Sequence, residues 1–86
     1  MPMYETDSTI KEIDLELRRR GYNFNDLKID VGANWGEATM SYKKNNKKAE
    51  IRLYGKVGLL GIAGPIIHIN DSSFESSSLK LRRIDD

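Results

Sequence analysis

The chain has no cysteine, one histidine, one tryptophan, two prolines and almost no net charge, and each scarcity removes a class of explanation. Without cysteine there is no disulfide framework and no thiolate nucleophile, which suits a cytoplasmic protein better than a small secreted one that would need covalent staples. One histidine, no sulfur ligand and no spaced series of carboxylates cannot assemble the usual zinc or calcium sets, so neither a metal nor a cofactor is expected. No apolar run approaches the ~20 residues that cross a bilayer as a helix. The stretch Met1–Glu5 turns acidic and polar at once and lacks the basic-then-apolar order of a signal peptide, so no membrane role is expected. Fourteen Lys and Arg offset thirteen Asp and Glu to a net +1. That balance argues against a protein whose main task is to neutralise a phosphate backbone, but it leaves room for a local basic patch.

What is present is enough for one small core. A chain of 86 residues buries only about 60–65% of its unfolded surface, so a single α+β domain over 1–86 is expected, with homodimerisation as one way to bury more. Residues 1–7 and 85–86 are expected to fray. The helix is legible at 9–20, where Ile10, Ile13 and Leu17 recur on one face at a 3.6-residue period. Thr9 followed by Glu12 has the capping-box spacing, Arg18, Arg19 and Arg20 complement the negative end of the macrodipole, and Gly21 supplies the stop. Leu15 lies off the apolar stripe and is a candidate contact residue.

Beyond a connector at 22–26, Leu27, Ile29 and Val31 alternate with Lys28 and Asp30 as a half-buried strand does. Ala38, Met40 and Tyr42 alternate with polar neighbours, as do Ala49, Ile51 and Leu53, on either side of Asn45-Asn46. A two-residue type I′ loop at those asparagines pairs Tyr42 with Ala49, Met40 with Ile51 and Ala38 with Leu53, and a one-residue slip would bury charge. The expected architecture is therefore an N-terminal helix packed on a mostly antiparallel sheet with a central two-residue hairpin. Its inner face would carry Leu27, Ile29, Val31, Ala38, Met40, Tyr42, Ile51 and Leu53. From Gly55 the glycines recur at 58, 61 and 64, which predicts an irregular strand at 57–62 and a strand at 66–69, followed by a Ser-rich loop at 70–78. Residues 79–84 suit an edge strand better than a short helix.

Four lysines, Lys43, Lys44, Lys47 and Lys48, crowd the hairpin tip. A solvated turn whose lysines guard against edge pairing explains them, and so does a basic ribbon that straddles phosphates with help from Arg18, Arg19 and Arg20. Gly55-Lys56-Val57-Gly58 has the outline of a KH-type clamp loop but follows a strand, so close backbone approach is the simpler role for those glycines. His68, near Asp71, Ser72 and Ser73, lacks an oriented partner and an oxyanion hole, so a hydrogen-bonded histidine beside the core is expected and no catalytic residue is assigned. Trp35, between glycines, is expected to plug the end of the sheet.

The expectation that results is a non-enzymatic regulatory or inhibitory protein, phage-like in size and character, that binds a protein partner or a second copy of itself. The candidate contact residues are Leu59, Leu60, Tyr54 and Leu15, since 57–69 holds more apolar residues than one small sheet face needs. Nucleic-acid binding through the lysine tip is the alternative.

Overall fold

The structure, a computed structural model, describes residues 2–56 and 65–85, and its helix, α1, runs Ile10–Arg19. Both ends are closed by the residues the sequence points to. The Thr9 hydroxyl oxygen accepts from the Glu12 N–H at 3.2 Å, and the Glu12 carboxylate accepts in return from the Thr9 N–H at 3.0 Å. At the other end Gly21 takes φ +94°, and the N–H groups of Gly21 and Tyr22 reach back to the carbonyls of Arg18 and Leu17. These two bonds form the paired C-terminal closure that favours glycine at the left-handed position.

Six strands form one antiparallel sheet: β1 (Met3–Glu5), β2 (Asn23–Val31), β3 (Trp35–Lys44), β4 (Lys47–Lys56), β5 (Ile66–Ile69) and β6 (Arg82–Arg83), in the order β2-β3-β4-β5-β1-β6. The α+β class with a helix on an antiparallel sheet is therefore as the sequence implies. The register of β3 with β4 also follows the alternation, pairing Tyr42 with Ala49, Met40 with Ile51 and Ala38 with Leu53. The turn differs in detail. Asn45 takes φ 51° but Asn46 does not share the positive sign, whereas a type I′ loop needs it at both positions.

The chain termini depart further from expectation. Residues 3–5 do not fray, because Tyr4 lies opposite Ile67 on one side and Arg83 on the other. The Thr6 hydroxyl, itself buried, donates to the Leu79 carbonyl at 2.6 Å and ties the two ends of the chain together. The Ser-rich stretch contains a 3-10 turn at Ser72–Ser76, started by the Asp71 carboxylate accepting from the Ser73 N–H. Only Arg82 and Arg83 of the 79–84 segment are strand. The irregular strand expected at 57–62 lies outside the described residues.

The core is a layer between α1, the 3-10 turn and one half of the sheet. Ile13 and Leu17 of α1, Ala49 and Ile51 of β4, Ile67 and Ile69 of β5, and Tyr4, Tyr42 and Phe74 are all buried, while Ile10 is half-buried at the rim. Three buried tyrosines each end on a carboxylate from another element, which satisfies a hydroxyl that burial would otherwise strand. Tyr4 donates to Glu75 at 2.8 Å, Tyr22 donates to Asp71 at 2.9 Å, and Tyr42 donates to Asp14 of α1. Burial first, then the bond to the carboxylate, pushes the Tyr4 and Tyr22 phenols up to about 12 and raises Tyr42 as well.

Two predictions follow from this layer. Leu17→Ala should cost about 2–5 kcal/mol in urea unfolding, as expected for a fully buried leucine; Ile29→Ala, on exposed surface, should cost less than about 0.5 kcal/mol. The tyrosines set the alkaline limit. Their pKa values are raised by folding, so their contribution is complete below the ordinary phenol pKa of 10.0 and is lost as pH rises through about 12. Tyrosinate absorbance and loss of the fold should therefore rise together in that window, and Tyr22→Phe should weaken the coupling.

Candidate functional site

Burial falls stepwise across the sheet. One row on the face beneath α1 runs Ile67, Ile51, Met40 and Leu27, each paired with the next. Ile67 and Ile51 are fully buried, Met40 is half-buried and Leu27 is 49% exposed. The next row, Leu53, Ala38 and Ile29, goes from half-buried to 62% exposed, and Val31 beyond it is 56% exposed beside Gly36. Leu27, Ile29 and Val31 thus lie on the face where the alternation puts them, but they are not core. The result is an open apolar surface at the edge of the sheet.

β2 itself is regular over that stretch. Its only irregularity is a register shift between Phe24 and Asp26, so Asn25 bulges and 27–31 pair cleanly with 36–40. Phe24, before the bulge, meets the Tyr42 ring edge to face at 5.7 Å and joins the open strand to the core.

The opposite face of the sheet is polar. Arg52 lies between Glu37 and Glu50 at 3.9 and 3.7 Å. A hydrogen bond to Tyr54 and those two carboxylates hold its guanidinium above its ordinary pKa. Tyr54, expected to stand outward as a contact residue, is therefore half-buried and engaged with Arg52. Trp35 does not plug the sheet. It is 59% exposed and, with Asp30, Gly32, Glu37 and Tyr54, lines an open depression on this polar face. His68 sits here too, opposite Glu50 and half-buried. No hydrogen bond reaches its ring among the described residues, contrary to the expectation, and burial together with Arg52 lowers its pKa.

The basic residues collect at the other end of the molecule. The hairpin tip leans on the end of α1: the Lys44 ammonium lies 5.6 Å from the centre of the Tyr22 ring, and Lys47 is 3.9 Å from Asp71. Lys43 and Lys48 face solvent. The arginines are largely committed within the fold. Arg18 pairs with Asp14 at 3.0 Å, Arg19 with Glu16 at 2.6 Å, and Arg20 lies over the Phe74 ring with a donor to the Ser73 carbonyl. Leu15 is exposed on α1 beside Glu12, Arg19, Ser78 and Leu79. Leu59 and Leu60 lie outside the described residues. Among the described residues no group of three or more His, Asp or Glu is placed to hold a metal ion, and no helix is long and apolar enough to cross a membrane.

The residues that sequence reading missed are the three of β2, because alternation gives a side chain's face without saying what covers that face. A pH test follows from His68. Its imidazole is held below the ordinary 6.5, so the unfolded chain binds more protons in mild acid. Stability should fall as pH drops below 6.5 and level off below the folded value. His68→Gln should flatten that slope in chemical-denaturation curves. No protein-family model, no curated protein and no solved structure matches the chain.

Proposed function

We propose that this chain is a non-enzymatic regulatory or inhibitory protein that acts by laying the open end of its sheet against a partner protein. The carrying observation is the row Leu27, Ile29 and Val31, three large apolar side chains in succession on one strand, each about half exposed or more. Exposed apolar residues scattered singly need no explanation, whereas a contiguous patch rimmed by charge is what protein contact surfaces look like. Asp26, Lys28 and Asp30 stand between these side chains on the strand's other face, where they favour solubility and orient encounter. Of the apolar residues in 57–69, Ile67 and Ile69 are core. A cytoplasmic, phage-like inhibitor is part of this reading.

The alternative is nucleic-acid binding through the lysine tip with help from Arg18, Arg19 and Arg20, favoured by the approach of Lys44 to Tyr22 just beyond the end of α1. It is weakened by the internal pairing of those arginines. One experiment separates the two. A partner captured from host lysate and then purified should bind the wild-type chain and Lys43→Ala/Lys48→Ala alike. It should bind Ile29→Lys at least about tenfold more weakly, by analogy with loss of a buried apolar anchor. Fluorescence anisotropy with mixed DNA and RNA at low salt should show no binding. The reverse pattern, nucleic-acid binding lost in the lysine variant and steeply salt-dependent, would replace this reading with the alternative.

A further inference from the structure

We infer that β2 pairs edge to edge with β2 of a second copy of the chain, antiparallel and centred on Ile29, so that two sheets join into one. β2 is the last strand of the sheet and has no neighbour on its outer side among the described residues. Which of its backbone groups face outward is fixed by the hairpin. The Gly32 N–H donates to the Trp35 carbonyl at 2.7 Å, so 32 and 35 form a hydrogen-bonded pair. Alternation along the register then directs Asp30, Lys28 and Asp26 inward to β3 and turns the N–H and C=O of Leu27, Ile29 and Val31 outward. The Leu27 N–H is met at 2.9 Å by the Asp26 carboxylate, a bond it can exchange; those of Ile29 and Val31 meet no outward partner among the described residues.

The side chains select the partner. With Ile29 opposite Ile29 of the second copy, Leu27 falls opposite Val31 and Lys28 opposite Asp30, and symmetry repeats each match. Apolar residues then meet on one face, opposite charges meet on the other, and all three outward-facing residues form hydrogen-bonded pairs. Other registers fail. Centring on Lys28 sets Lys28 on Lys28 and Asp26 on Asp30, and a one-residue slip sets Leu27 against Asp30. The bulge at Asn25 ends the straight segment on one side and the turn at Gly32 ends it on the other, so the match is confined to five residues. Edge strands ordinarily carry charge to prevent such pairing. Here like charges oppose the registers centred on Lys28 and Asp30, and the bulge at Asn25 and the turn at Gly32 exclude those centred on Leu27 and Val31. The contact is short, so it is a weak, reversible dimer.

Lys28 and Asp30 lie on the face of β2 away from the apolar surface, so this inference and the partner-binding reading can fail separately. Sedimentation of the wild-type chain over a concentration series should show monomer and dimer in exchange. Lys28→Asp and Asp30→Lys should each weaken the dimer by about tenfold, since each sets like charges opposite one another twice. An equimolar mixture of the two variants should restore association, because opposite charges then meet at both positions. In the wild-type chain, amide exchange at Ile29 and Val31 should slow as concentration rises. A wild-type chain that stays monomeric, a dimer indifferent to both reversals, or a mixture that fails to associate would overturn the inference, as would exchange at those amides that is unaffected by concentration.

Discussion

One short helix cannot cover six strands, and most of what is distinctive in this molecule follows from that mismatch. A helix of ten residues is about 15 Å long and about 10 Å across. Six strands set roughly 4.8 Å apart span about 24 Å, and the ten-residue strands β3 and β4 run about 33 Å. Ile13 and Leu17 of the helix share one buried cluster with Ile51 of β4, Ile67 and Ile69 of β5 and Phe74 of the 3-10 turn. Nothing among the described residues extends that cluster to Leu27, Ile29 and Val31. The sheet is therefore a packed half, continuous with an open wing.

The packed half is held by apolar burial and by the three tyrosine–carboxylate bonds at its margin. Each tyrosine supplies a large apolar body to the core and a polar tip that must be met, and the three acceptors come from α1 and from the 71–75 segment. These bonds fix the helix and the C-terminal segment relative to the sheet. They also keep the phenols protonated at any ordinary pH. The wing is tied to this half by the Phe24–Tyr42 contact and by the β2–β3 ladder. The wing holds apolar surface and an unpaired backbone edge together, among the described residues.

Much of the fold was legible because its signals are local. Thr9 with Glu12, Gly21, and the apolar alternation through Asn45-Asn46 each specify a geometry within a few residues, and the helix and the central register follow. The same alternation gave the face of Leu27, Ile29 and Val31 but misassigned their environment, because coverage depends on where a helix docks rather than on the strand's own pattern. Met3–Glu5 was illegible for a related reason. Three residues carry no period, and their place between β5 and β6 comes from pairing with segments more than sixty residues away. Tyr54 stands on the polar face as alternation implies, yet it is half-buried and engaged with Arg52, its neighbour two residues back on the same strand.

The account rests on the boundary between covered and uncovered sheet, and methyl NMR with a soluble paramagnetic probe tests that boundary directly. In dilute solution the methyl signals of Leu27, Ile29 and Val31 should broaden strongly, while those of Ile51, Ile67 and Ile69 should be unaffected. Methyl groups of Ile29 and Val31 as protected as those of Ile51 would contradict the account, since β2 would then belong to the core.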